Sequence, residues 1–267
     1  MPAWLSQWSD IRLPVIGVVH LAPLPGAPRF GGDQCEVERS MLRDAAALAE
    51  GGVHALLLEN YGDVPFFPGR VPHQVITHMT ALGLRLRQEY PELPLGINVL
   101  RNDGCGALAV GHAIGAHFIR VNVLSGARVT DQGLIEAVAH ELLRAQDLWR
   151  ARGIRICADI DVKHSVSLGA IPLEQQTIDA IHRGQADVVI VSGTGTGQPT
   201  EPDRFERIKA VAGQTPVWVG SGVTDENIES WAAVADAAIV GTWLKRDGVT
   251  TNPVDQNRVR ELVQIVA

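Results

Sequence analysis

Three stretches of this 267-residue sequence set ionisable side chains directly against apolar runs. Gly17-Val-Val19 runs into His20, Ala55-Leu-Leu-Leu58 runs into Glu59, and Ala158-Asp-Ile-Asp-Val-Lys163 carries Asp159, Asp161 and Lys163 at every second position. In an extended strand that spacing predicts both carboxylates and the amine on one face, with Ala158, Ile160 and Val162 on the other. Burying such groups costs on the order of a few kcal/mol each unless they are partnered, which favours a site over a core. The residue types suggest Glu59 as a general acid or base and His20 as a proton shuttle or metal ligand. Lys163, beside Asp161, suits anion binding or condensation with a carbonyl substrate. The plainer alternatives are an ion pair of Glu59 with Arg120 or Lys163, a self-neutralising Asp and Lys pair, and a hydrogen-bonded structural histidine.

Amides and glycines follow the other apolar runs. Asn98 and Asn122 each offer a donor and an acceptor to a hydroxyl-rich ligand, or alternatively cap the backbone that follows. Ser192, Gly193, Thr194 and Gly195 open a loop with a glycine at every second position, which lets backbone N–H groups approach an anion or simply makes a flexible cover. Near the C-terminus, Val217-Trp-Val219 runs into Gly220, Ser221 and Gly222, and Ala237-Ala-Ile-Val240 runs into Gly241 and Thr242. Two adjacent parallel strands ending this way, with a helix opening after the turn, direct unpaired N–H groups at one spot and suit a phosphate.

Positioning these residues requires eight strands. Apolar, β-branched runs recur at 15–20, 53–59, 95–99, 117–121, 154–161, 186–192, 217–220 and 237–240. Segments of helical spacing lie after them at 37–50, 75–90, 107–114, 134–151, 173–183, 204–211, 227–234 and 256–266. Strict alternation of eight strands and eight helices predicts a single (β/α)8 TIM barrel over residues 1–267, with Trp4 and Trp8 docking the segment 1–12 against it. Gly51, Gly153 and Gly184 are placed to close helices. The longest connection, Asn60 to Pro72, is the candidate lid.

Composition narrows the function. A formal net charge of −7 argues against a nucleic-acid partner. No apolar run approaches the roughly 18 residues of a membrane span, and the first residues lack the features of a signal peptide, so a cytoplasmic protein without an integral membrane segment is expected. The first strand is followed by a proline-rich turn instead of a dinucleotide fingerprint, and no cofactor is expected. Cys35, Cys105 and Cys157 are odd in number and widely spaced, consistent with reduced thiols. His73 and His78 lack zinc spacing, so no metal is assigned, although a divalent site from His20, Glu59 and Asp161 stays open as an alternative. A homo-oligomer binding a small phosphorylated metabolite is the expected state.

The motifs Gly17-Val-Val-His-Leu-Ala-Pro-Leu-Pro-Gly26, Glu59-Asn-Tyr-Gly-Asp63, Gly96-Ile-Asn-Val-Leu-Arg-Asn-Asp103, Arg120-Val-Asn-Val123, Asp159-Ile-Asp-Val-Lys-His-Ser165, Ser192-Gly-Thr-Gly-Thr-Gly197 and Gly220-Ser-Gly-Val223 occur in this order. Together they resemble the BtpA/SgcQ family from about residue 11 to the C-terminus. The resemblance implies a barrel related to the ribulose-phosphate-binding group. It implies two functional settings: accumulation of photosystem I reaction-centre proteins for BtpA members, and sugar-phosphate genes for SgcQ-type members. An isomerase, epimerase or aldolase-type lyase is the expected enzyme, with a non-catalytic assembly factor as the first alternative and a divalent-metal-dependent hydrolase as the second.

Overall fold

The computed structural model describes residues 7–193, 195 and 199–267. Eight parallel strands close a barrel: β1 (Val15–His20), β2 (Ala55–Glu59), β3 (Leu95–Asn98), β4 (Phe118–Val121), β7 (Arg155–Ile160), β9 (Val188–Ser192), β10 (Val217–Gly220) and β11 (Ala237–Val240), with β11 pairing back onto β1. Helices α1 (Gln34–Glu50), α2 (His73–Glu89), α3 (Gly104–Ile114), α4 (Ala139–Leu148), α5 (Leu173–Ile178), α6 (Pro202–Ala212), α7 (Ile228–Ala232) and α8 (Gln256–Val266) separate them. The strands are buried on both faces, as parallel strands covered by helices must be.

Alternation along each strand decides what enters the barrel. Ile16, Val18, Leu57, Phe118, Cys157, Ile190, Trp218 and Ile239 form one interior cluster, while the intervening residues join the larger core under the helices. Trp8 caps the lower end, its ring 6.0 Å from Trp218, and Phe118 meets Trp218 edge-on at 5.6 Å. Gly96 makes room for Phe118: a Cβ there would lie 2.1 Å from its ring. The lower barrel is therefore plugged by packed aromatic and aliphatic side chains, and the polar groups of the barrel lie at its upper end. Trp4 lies outside the described residues.

Three short strands were not expected from periodicity. β5 (Ala127–Thr130), β6 (Gly133–Glu136) and β8 (Ser165–Ser167) form an antiparallel sheet, order β6, β5, β8, from the connections after β4 and β7. The helix expected from residue 134 starts at Ala139 instead, because Leu134 and Ile135 pair with Val129 and Arg128. The glycine closures also differ. Gly52 takes a left-handed φ of 93° after α1, but before β7 and β9 that conformation falls to Arg150 and Gln185, not to Gly153 or Gly184.

The expected lid is a pinned wall. The Gly62 N–H donates to the Leu21 carbonyl, Asp63 accepts from the Leu24 N–H, and Asn60 bridges Asp63 and the Leu100 N–H. Further along, the Arg101 N–H bonds the Phe67 carbonyl, and the Asp103 carboxylate, which also caps α3, accepts from the Val71 N–H. With both ends and the middle tied to other loops, the segment holds the first three strand ends in fixed relation.

Candidate functional site

Continuing the strand alternation upward brings the interior positions to His20, Glu59, Asn98, Arg120, Asn122, Asp159, Ser192, Gly220 and Gly241. Register levels the first three: His20 is paired with Glu59, and Glu59 with Asn98. His20 Nε2 lies 3.7 Å from Glu59 Oε1, and the His20 ring leans on Tyr61 with centroids 4.7 Å apart. Gly241 is required beside them, since a Cβ there would stand 2.8 Å from His20 Cε1. Burial, then the nearby Lys245, Lys163 and Arg120 charges, holds the His20 pKa well below its ordinary value. The imidazole is neutral at physiological pH.

Asp159 is fully committed to protein groups. Arg120 Nε and Nη2 each bond it at 2.9 Å, Asn122 Nδ2 at 2.8 Å, and Ser192 Oγ reaches it at 3.4 Å. Of the two residues expected as ligand contacts, Asp159 holds Arg120 and Asn122 in place, and Ser192 bonds Asp159. The buried Arg120 guanidinium was weighed in the sequence only as an ion-pair partner for Glu59. Its alternation with Phe118 and Asn122 was the signal that would have placed it inside the barrel. Glu59 makes no ion pair within 4 Å of Arg120 or Lys163, because Asp159 takes the arginine.

Asp161 does not join the site. Strand β7 ends at Ile160, and Asp161 adopts a left-handed φ of 56°, which breaks the alternation expected through Lys163. Its carboxylate is held by Arg128 and Arg204, and its carbonyl accepts from Arg204 at 2.8 Å. The reversal separates Asp161 from His20 and Glu59, so the divalent trio is not assembled. Among the described residues no group of three His, Cys, Asp or Glu side chains is placed to hold a metal ion.

The same reversal delivers Lys163 to the mouth. Burial and the Arg120 charge bring its amine down from 10.5 to about 8, partly opposed by Glu59 and Asp159. No described residue forms a salt bridge with it within 4 Å. Burial of an amine in this way favours the neutral, nucleophilic form.

A cavity of about 180 Å³ joins these groups to the C-terminal glycine turns: His20, Glu59, Arg120 and Lys163 on one side, Ser221, Gly222, Gly241 and Thr242 on the other, over a floor of Val18 and Ile239. Ser221 and Gly222 both have positive φ, 89° and 66°. Asn227 clamps the turn, accepting from the Thr224 N–H and donating to the Gly222 carbonyl. The expected helix does not open at the turn: α7 begins at Ile228 and spans five residues. The turn N–H groups therefore have no appreciable helix dipole behind them. Gly220 serves packing, as a Cβ there would meet Ile190 at 2.9 Å. Gly193 is buried after β9, Gly195 accepts from Ser221 Oγ, and Thr194 lies outside the described residues.

Several buried polar atoms at the mouth have no hydrogen-bond partner: His20 Nδ1, both carboxamide atoms of Asn98, Asn122 Oδ1 and Arg101 Nε. Neither asparagine caps the backbone that follows. Asn102 ties these loops instead, bonding the Val123 N–H and carbonyl and the Glu136 carbonyl.

A closed eight-stranded barrel with its polar groups collected at the C-terminal ends of the strands defines a TIM barrel. The chain belongs to the BtpA family, whose profile matches residues 11–267. It is 44% identical over 254 residues to an uncharacterized protein of Thermococcus kodakarensis, covering 95% of each chain. It is also 44% identical over 263 residues to the photosystem I biogenesis protein BtpA of Synechocystis, covering 98% of this chain and 91% of that one. The putative sgc region protein SgcQ of Escherichia coli is 29% identical over 267 residues, covering 99% and 98%. Among solved structures, N-(5'-phosphoribosyl)anthranilate isomerase from Pyrococcus furiosus shares the fold at a TM-score of 0.55 and 15% identity, covering 95% of this chain and 98% of that one. No helix of the described residues is long and apolar enough to cross a membrane.

Proposed function

We propose that this protein binds a small phosphorylated, sugar-like or nucleoside-like metabolite and performs carbonyl chemistry on it, as an isomerase, epimerase or aldolase-type lyase. The observation that carries the reading is the single cavity in which the Ser221 to Gly222 and Gly241 to Thr242 turns face Lys163, Glu59 and neutral His20. The turns hold the phosphate. A neutral Lys163 amine adds to the substrate carbonyl, and loss of water leaves an iminium that draws electrons from the neighbouring C–H or C–C bond. Glu59 takes the released proton, and His20 relays a proton at the adjacent oxygen.

An assembly role, suggested by the printed name of the Synechocystis relative, would be favoured by contiguous exposed aromatics. Trp8 and Trp231 are buried, Trp243 packs under Arg258, and Phe66 lines the mouth, which leaves Phe67 as the exposed one of that set.

A panel of sugar phosphates tests the proposal. At least one should raise the melting temperature, Gly222→Asp should abolish the rise, and borohydride added with that ligand should leave a covalent adduct on Lys163. Stabilisation by no phosphorylated compound would sink the reading. Stabilisation without an adduct would remove the Schiff base and keep the phosphate site.

A further inference from the structure

The mouth has a second chamber, of about 290 Å³, on the far side of the reactive groups. Glu59, Arg120 and Lys163 belong to both chambers and form the wall between them. The outer chamber adds Tyr61, Phe66 and Leu100 as an apolar side. Arg101, Asn122, Asp131, Gln132 and His164 make a polar one, with Asp131 exposed at its rim.

Arg101 is the unusual group. It is 4% exposed, and no carboxylate lies within the 4 Å of an ion pair among the described residues. One guanidinium nitrogen donates to the Lys163 carbonyl at 2.5 Å, while Nε has no partner. Arg120 spends Nε and Nη2 on Asp159, and Asn122 Oδ1 is unpartnered after Nδ2 bonds Asp159. A buried guanidinium without a counter-ion is expensive. Its planar fork matches a carboxylate or a phosphate. Three cations, Arg101, Arg120 and Lys163, and two carboxylates, Glu59 and the exposed Asp131, line the chamber, while the buried Asp159 holds Arg120 from behind the wall. Of these cations, Arg101 alone has neither a bonded carboxylate nor a share in the cavity at the glycine turns.

We infer that the substrate has two anionic ends: a phosphate on the glycine turns and a second anion, carboxylate or phosphate, on Arg101 and Arg120 in the outer chamber. This rests on the phosphate reading above and adds the second end. A molecule so held is stretched across the shared wall, which presents its central carbons to Lys163 and Glu59. The aliphatic and aromatic side of Tyr61, Phe66 and Leu100 covers the carbon skeleton. A phosphate-only compound leaves Arg101 without a counter-ion and binds more weakly.

Calorimetric titration at constant ionic strength decides it, with inorganic phosphate, ribose 5-phosphate, 6-phosphogluconate and ribulose 1,5-bisphosphate as probes. The expected result is that at least one two-ended probe binds about tenfold or more tighter than ribose 5-phosphate. The tighter of the two identifies the second end as carboxylate or phosphate. Arg101→Gln should erase that advantage and leave ribose 5-phosphate still bound through the glycine turns, and Arg101→Lys should restore part of the advantage. Ribose 5-phosphate binding as tightly as both two-ended probes to the unmodified protein would overturn the inference while the phosphate site stands. Binding of no probe would overturn the phosphate reading and the inference with it. The unmodified protein separates these outcomes even if an Arg101 variant fails to fold.

Discussion

Replacing Lys163 by Met should stabilise the protein at neutral pH. The fold holds the Lys163 amine at about 8 against an ordinary 10.5. That difference of about 2.5 pH units corresponds to about 3 kcal/mol of penalty on the charged form, at about 1.36 kcal/mol per unit. Part of the side chain still touches solvent, so screening reduces the recoverable amount to about 1–2 kcal/mol. For a chain of this size that is a rise of about 2–6 °C in melting temperature. The sign follows from proton counting. Below about pH 8 the folded and unfolded chains both hold the proton, and the full penalty is present. Between about pH 8 and 10.5 the unfolded chain holds it and the folded chain has released it, so the unmodified protein gains stability as pH rises. The Met variant lacks this gain. Melting curves of the two proteins at pH 7 and pH 9.5 should therefore show a gap that favours Met and shrinks at the higher pH. A variant less stable at pH 7, or a gap equal at both values, would refute the account of Lys163 as a desolvated amine.

Asp159→Asn should be severely destabilising, by about 3–5 kcal/mol, because it leaves the buried Arg120 guanidinium without its counter-charge; chemical denaturation measures it. Gly96→Ala should lower the melting temperature through a cost of about 1–3 kcal/mol, since Phe118 is wedged against Trp218 and cannot yield to the new methyl group. The His20 imidazole should stay neutral as pH falls below 6.5, so its ring resonances in an NMR titration should not move between pH 8 and 6; a midpoint at or above 6.5 would show that the ring is not desolvated.

The barrel was legible because each strand is a compact apolar run with a polar residue or glycine at its upper end. Those ends place His20, Glu59, Asn98 and Asn122 inside by alternation alone. What failed was any position fixed by a non-local partner. Asp161 looked like the next inward residue of β7, yet Arg128 and Arg204, from β5 and α6, hold it in a left-handed turn that an aspartate tolerates. The β5, β6, β8 sheet was hidden for the same reason: Val129 pairs with both Leu134 and Val166, and the second partner lies far along the chain. Leu134 and Ile135 also fit the helical period of the segment that follows. Arg101 carries no periodic signal, being in a loop after β3, and its importance shows only in its burial without a carboxylate. The glycine turns were visible as phosphate candidates, but the shortness of α7 was not, because Ile228 and Trp231 satisfy a helical spacing that ends one turn later.

The central claim is that a phosphate sits on the two C-terminal turns, facing Lys163. Titrating inorganic phosphate into isotope-labelled protein and following backbone amides by NMR tests it most directly. The account predicts saturable shifts at Gly222, Val223, Gly241 and Thr242, with the Lys163 side chain responding in parallel. Saturable shifts confined to other parts of the barrel, or none at millimolar phosphate, would contradict it.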